Sequence, residues 1–382
     1  MNMIKPILPF ALAFLGSILL LNFFYERSVL SAPKAEELAL GLDNTAYFAQ
    51  DNGYNFHCGD FLYFPVRDCI QDFNSNSSPL KQAYLLMGNS QLHGINQPEL
   101  GLSSTSEILY RYFKKRGVNK TFLTFSMPNM NMQEQLLMFE YAHMTLPLKK
   151  LLLAVSFDNT RETGIREGLL DVLEDAVIKK NLEASVSGQK ILDLYGDTSL
   201  ADIDLPALKD TPQKSVEIWL NSHLSSFWDS WEARGSLRAI SLIKLFQFRN
   251  YIFGIDSTST RKKIPARYEG NLLALKELLA RAKTLEIDVV LYSAPIRGDT
   301  KLPYDLKEYQ DFKFDLQALT LENDFTFVDL QELVPAQYWG VVDSLNSTSG
   351  SKEIDFMHFQ GMGHQILGKH LTDILIAEGW DR

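Results

Sequence analysis

AYLLMGNSQLHG, residues 83–94, is the stretch on which the fold of this chain turns. Ala83 to Met87 is a short, unbroken apolar run closed by Gly88. A run of this length suits a strand covered on both faces, the kind found inside a parallel sheet. Gly88 lets the backbone turn sharply, and Asn89 and Ser90 follow at once. Parallel sheets place their sites beyond the carboxyl ends of the strands. Ser90 therefore stands where a ligand could reach it.

Outward from this strand the chain keeps an α/β rhythm. Residues 103–117 carry Ser/Thr caps, periodic apolar positions, basic residues near the end and a stop glycine, which together predict a helix. Residues 121–128 read as a second strand, 132–144 as a second helix and 149–157 as a third strand. Residues 269–286 predict a strongly amphipathic helix with Leu272, Leu275, Leu278, Leu279 and Ala282 on one face. Strands follow at 287–295 and 325–330, and residues 361–380 close as a terminal helix. Alternation of this kind predicts a parallel sheet covered by helices on both faces, a three-layer α/β/α sandwich. Residues 160–270 break the rhythm and are expected to form a mostly helical insertion. Its Trp/Phe-rich and basic-aromatic stretches suit core packing, a cover over a groove, or contact with a membrane.

The ends and the composition set the surroundings. Pro6 to Tyr25 carries no charge, and its twenty residues would span about 30 Å as a helix, the thickness of a bilayer core. Residues 1–25 are expected to be an uncleaved membrane anchor, with a cleaved signal peptide as the other reading. Residues 26–79 read as a polar stalk and loop, and 80–382 as the folded domain. The only two cysteines, Cys58 and Cys69, close a short loop, a pattern favoured in an oxidising compartment; two separate buried thiols are the alternative. The bulk of the chain is thus expected to be periplasmic or otherwise extracytoplasmic. The net charge is −10 over 382 residues, with no basic run, which excludes nucleic-acid binding through phosphates as an expectation. No Walker-type loop and no HExxH zinc helix is present, so no metal or other cofactor is expected.

A serine hydroxyl is a weak nucleophile until a base takes its proton. The candidate base lies at the far end of the chain, in EIDFMHFQGMGH (353–364). Asp355 and His358, three residues apart on a loop or a first helical turn, can bring both side chains to one side. The carboxylate would fix the imidazole tautomer and leave the other nitrogen for Ser90. Other polar groups have less specific readings. His93 could touch a substrate or sit on the surface; His364 and His370 read as helix-surface or packing residues. Arg161 and Arg297 follow strands and could clamp an anion or simply face solvent, and Tyr292-Ser293-Ala294-Pro295 could shape a pocket wall.

Gly88-Asn89-Ser90 after the first strand and Asp355-x-x-His358 before the last helix resemble the nucleophile block and final block of the SGNH (GDSL-like) hydrolase superfamily. Gly361, Gly363 and His364 are similar to that family's C-terminal pattern. The resemblance covers about residues 80–160 and 270–380 and is closest to a membrane-anchored branch. That branch acts with cell-envelope acyl-transfer systems, such as alginate acetylation and teichoic-acid D-alanylation. The resemblance implies an α/β/α sandwich with a flavodoxin-like parallel sheet and a Ser90–His358–Asp355 triad with an oxyanion hole. Asn129 matches the position of a family glycine whose backbone N–H binds the oxyanion, and Asn159 matches a family asparagine, with Asp158 as the other occupant. Asn89 replaces the usual aspartate. The implied function is a membrane-anchored serine esterase or O-acyltransferase on acyl esters, foremost acetyl, of an envelope glycan or an acylated lipid-linked substrate. A non-catalytic glycan-binding relative, or an assembly partner of an integral membrane acyltransferase, is the other reading.

Overall fold

The structure is a computed structural model that describes residues 50–51, 55–58, 67, 82–92, 104–118, 120–195, 219, 234–343 and 352–382. Five strands form the centre of the sheet: β3 (Ala83–Gly88), β4 (Thr121–Ser126), β5 (Leu148–Val155), β6 (Asp288–Ser293) and β7 (Thr326–Asp329). Two short strands, β1 (Gln50–Asp51) and β2 (Asn55–Cys58), precede them. The order across the sheet is β1-β2-β4-β3-β5-β6-β7. Every pairing is parallel except β1 with β2. Renumbered from β3, the central five follow the order 2-1-3-4-5 of flavodoxin-like sheets, as expected. The stretch expected as stalk therefore contributes two strands at one side of the sheet, β1 at its edge and β2 between β1 and β4.

The helices are α1 (Thr105–Lys115), α2 (Met132–Thr145), α3 (Ala176–Glu183), α4 (Val186–Tyr195), α5 (Arg234–Phe253), α6 (Pro265–Thr284), α7 (Leu306–Glu322) and α8 (Gly361–Ala377). Strand periodicity sorts them onto two faces. Leu85, Met87, Leu151, Leu153 and Leu291 share one buried cluster with Leu137 of α2, Leu278 of α6 and Phe312 of α7. Tyr84, Leu86, Leu152, Val290 and Tyr292 share the other with Phe113 of α1 and Leu371 of α8. This is the three-layer arrangement the alternation predicted. Helix α7 lies between β6 and β7, in a segment where the sequence reading assigned no element. It serves as the crossover that two parallel neighbours require.

The chain divides into two compact units. One comprises Asp43–Asp204, Ser257–Val342 and Glu353–Arg382; the other comprises Met1–Leu42, Leu205–Asp256 and Asp343–Lys352. The first part of the expected insertion belongs to the sheet-bearing unit, because Leu169, Val172, Ile178, Leu182 and Ile191 join its core. Among the described residues no helix is long and apolar enough to cross a membrane. The expected anchor at 1–25 lies outside the described residues, as does Cys69 of the expected disulfide; Cys58 ends β2.

Candidate active site

Gly88 ends β3 opposite Ser126 of β4, and a single 3₁₀ turn, Ser90–Leu92, starts two residues later. Gly88 lets β3 lie close against β5 because it has no side chain. A Cβ there would stand 2.6 Å from Cβ of Ala154 on β5 and 3.2 Å from Cδ1 of Leu92. The Asn89 side chain accepts the Gln91 N–H at 3.0 Å, fixing the turn, and donates to Ser156 Oγ at 3.1 Å. Ser90 is thereby held at the carboxyl end of the sheet, almost enclosed at 6% exposure.

The base arrives from the other end of the chain. Residues Trp339–Asp343 (β8) and Lys352–Phe359 (β9) pair as a two-stranded ladder, and β9 carries both Asp355 and His358. The sequence reading placed this pair on a loop or a helical turn; it lies on a strand instead, and helix α8 begins only at Gly361. A regular strand would send residues three apart to opposite faces. Asp355 brings them together locally: its Oδ1 accepts the backbone N–H groups of Met357 and His358, each at 2.9 Å. The side chain bends the backbone toward itself.

His358 Nε2 lies 2.8 Å from Ser90 Oγ, and His358 Nδ1 lies 2.9 Å from Asp355 Oδ2. An ionised carboxylate can only accept, so Nδ1 carries the proton and Nε2 is left to accept from the serine hydroxyl. Burial pushes the Asp355 carboxyl upward, but the charge of His358, its hydrogen bond and the two amide hydrogen bonds outweigh burial and hold it below the usual carboxylate value. Asp355 is thus a buried, ionised partner fitted to an imidazolium. The three residues expected from the two ends of the chain meet in one line of hydrogen bonds.

Gln91 has no place in the sequence reading, yet it braces this line. Its Nε2 donates at 2.7 Å to the carbonyls of Pro295, after β6, and of Met357, beside His358. It ties the serine turn to the histidine strand. Nothing in the sequence marks it beyond its position next to Ser90.

Asn129 sits in the turn Met127–Met130, closed by the Met130 N–H on the Met127 carbonyl at 3.1 Å. Pro128 occupies the second position and Asn129 the third, with φ of 50°. That is the left-handed position of a type II turn, where glycine is usual and asparagine is tolerated. Asn129 thus has the left-handed backbone that a glycine would adopt at this position. Among the described residues no acceptor faces the N–H of Asn129 or of Ser90. Arg166 clamps the turn from outside. It donates to the Pro128 carbonyl at 2.9 Å and the Asn129 carbonyl at 3.4 Å, and forks onto Glu134 at 2.7 and 2.8 Å.

Asn159 is bound into the surrounding loops. It is fully buried, donates from Nδ2 to the Met130 carbonyl at 2.7 Å, and accepts from the Ser156 N–H and Oγ at 2.6 and 3.0 Å. Buried backbone groups at the ends of β4 and β5 need partners, and this carboxamide supplies them. The geometry makes Asn159 a tie between loops through Oδ1 and one of its two Nδ2 hydrogens. Asn89, Ser156, Asn159 and Met130 form one chain of hydrogen bonds across the ends of β3, β5 and β4. Asp158, the alternative at that position, pairs with Arg261 at 2.5 Å and accepts from Tyr304 at 3.0 Å.

The remaining candidates have structural partners. Arg161 donates to the Lys262 carbonyl at 2.7 Å, and Arg297 forks onto Asp299 and donates to the Gly340 carbonyl at 3.0 Å. His364 is buried and accepts at Nδ1 from the Thr105 hydroxyl and N–H, at 2.9 and 3.2 Å, so it caps α1. His370 is exposed on α8, and His93 lies outside the described residues. Tyr292, Ser293 and Ala294 are buried in β6 and just past it; Pro295 offers only its carbonyl, to Gln91. Among the described residues no group of three or more His, Cys, Asp or Glu is arranged to hold a metal.

No family model and no curated protein sequence matches the chain. Solved structures show a slight likeness. A GDSL-like lipase from Bacteroides thetaiotaomicron VPI-5482 is 11% identical, with 82% of this chain and 97% of that chain covered, at a TM-score of 0.37. A variant of an acetyl-xylooligosaccharide esterase from Geobacillus Stearmophilus is 9% identical, with 77% and 94% covered, at 0.36. A carbohydrate esterase family 2 enzyme with a carbohydrate binding domain, from Corynascus thermopiles (Myceliophthora fergusii), is 10% identical, with 80% and 69% covered, at 0.36. The chemistry of the site rests on its own residues.

Proposed function

We propose that this chain is a serine esterase or O-acyltransferase that works through Ser90, His358 and Asp355. The observation that carries the proposal is the unbroken line from the Ser90 hydroxyl through His358 to a buried, ionised Asp355. His358 Nε2 takes the Oγ proton as Ser90 attacks an ester carbonyl. The oxyanion that forms meets the Ser90 and Asn129 N–H groups. His358 then passes the proton to the departing alkoxide, leaving an acyl-Ser90. Water, or a hydroxyl of a second substrate, gives its proton to His358 and takes the acyl group, and Ser90 leaves as it recovers that proton from His358. Water makes the chain an esterase; a sugar hydroxyl makes it an acyltransferase. The uncharged run at 6–25 supports a tether facing the envelope, and hence an acylated, foremost acetylated, envelope glycan or lipid-linked substrate.

The enclosed Asn159 supports a second reading. Its Oδ1 and one of its two Nδ2 hydrogens are tied to the loops, which restrains it as an oxyanion donor, and one lost donor costs on the order of 3 kcal/mol in the transition state. A cleft of this kind could hold an acylated glycan for a membrane-bound acyltransferase without turning it over. Intact mass after fluorophosphonate treatment separates the two. A single adduct on the parent, absent from Ser90→Ala and His358→Ala, is the expected outcome. A folded parent that takes no adduct would overturn the enzymatic reading and leave the binding one.

A further inference from the structure

Helix α5 is inverted with respect to water. Among its residues 244–253 the two that are buried, Gln247 and Asn250, are polar, and they stand three apart on one stripe. The large apolar side chains face outward: Leu245 is 62% exposed, Phe246 44%, Phe248 61%, Tyr251 72%, Ile252 58% and Phe253 71%. A helix in water shows the opposite arrangement. Exposed apolar side chains elsewhere in the described residues are sparser: Leu306, Phe314 and Leu321 are spread over the 17 residues of α7, whereas here six crowd into nine residues. A patch of that density marks a surface meant to be covered.

Charge identifies what covers it. Helix α5 carries Arg234, Arg238, Lys244 and Arg249 and no acidic residue, in a chain whose net charge is −10. Lys244 and Arg249 are exposed beside the aromatic side chains, and the Arg249 guanidinium lies 4.4 Å from the centre of the Phe246 ring. Phe, Tyr, Ile and Leu interleaved with basic residues are the pattern of a helix at an anionic lipid surface. Its twenty residues hold too many charges to cross a bilayer, so the helix belongs in the interfacial plane.

We infer that α5 is an interfacial membrane helix, seated by Leu245, Phe248, Tyr251 and Ile252 in an anionic leaflet, as a second contact beside the proposed anchor. The inference rests on the anchored reading in that the chain must meet a membrane. The full chain is reconstituted in vesicles of phosphatidylethanolamine and phosphatidylglycerol, with p-benzoylphenylalanine replacing Phe248, Tyr251 or, as a control, Phe314 of α7. After flotation and irradiation, adducts are identified by mass. Phospholipid adducts at 248 and 251 and their loss at 314 are expected, with yield falling when phosphatidylcholine replaces phosphatidylglycerol. A chain that floats but gives no lipid adduct at 248 or 251, or gives a polypeptide adduct there, overturns the interfacial helix and leaves the anchor standing. Equal lipid adducts at 314 overturn it as well. A chain that does not float overturns both.

Discussion

Asp355 shows most plainly how one side chain sets the site. It bends β9 with Oδ1, so that His358 faces it, and holds the imidazole with Oδ2. Replacing it with asparagine keeps the shape and removes the charge. The amide can donate to Nδ1, which favours the wrong tautomer for accepting the Ser90 proton. Asp355→Asn is expected to lower kcat on an activated acetyl ester by about four orders of magnitude with little change in KM. A kcat within about tenfold of the parent would show that the carboxylate is not the orienting group. The spacing Asp-x-x-His was legible because it is local in sequence. Gln91 was not, because its two acceptors, Pro295 and Met357, are brought to it only by folding.

At the level of elements, two features position the serine turn and the turn after β4. Gly88 lets β3 approach β5, and a methyl group there would meet Ala154 at 2.6 Å. Gly88→Ala is expected to destabilise the chain by roughly 1–3 kcal/mol, read from the urea midpoint at unchanged slope. Arg166 packs against Glu134, whose side chain is only 1% exposed. Removing the cation strands a buried carboxylate, so Arg166→Ala should cost about 3–5 kcal/mol, and Arg166→Lys should recover little because an ammonium cannot fork. Full recovery by lysine would show that the pair acts through charge alone. The five central strands and helices α1, α2, α6 and α8 were readable from period and caps. Helix α7 lies at 306–322, where exposed Leu306, Phe314 and Leu321 blur the apolar stripe. Strands β1, β2 and β9 are short or polar, and pairing made them strands more than composition did.

For the molecule as a whole, titration gives the sharpest test. Burial raises the phenols of Tyr268, Tyr292, Tyr304 and Tyr309, and pushes Tyr84 up to about 12. A phenol whose folded pKa exceeds its unfolded value stabilises the fold fully below about pH 10 and loses that contribution as pH rises. The tyrosine contribution should therefore be constant through neutrality and be lost above about pH 10, with each such tyrosine adding up to about 1.4 kcal/mol per pH unit to the slope. The same tyrosines should ionise only as the chain unfolds, seen as phenolate absorbance coincident with loss of ellipticity. Phenolate appearing near pH 10 in the folded chain would contradict the burial. Asp355 works in the other direction. Its folded pKa is depressed, so its contribution is present above the ordinary carboxylate value and is lost as pH falls through the lower, folded one. Asp355→Asn should remove that part of the acid limb.

The sequence by itself determined the parallel sheet and singled out Ser90, His358 and Asp355 as candidates. Apolar period, glycine stops and two short motifs are local signals, and local signals survive in a one-dimensional string. Only the tertiary structure decided which polar groups serve the site and which merely hold it. Asn159 became a tie because two buried loop ends needed partners, Asn129 took a left-handed turn position, and α5 turned its apolar side outward. Each of those outcomes depends on which groups burial leaves without water, and that is settled only when distant segments meet.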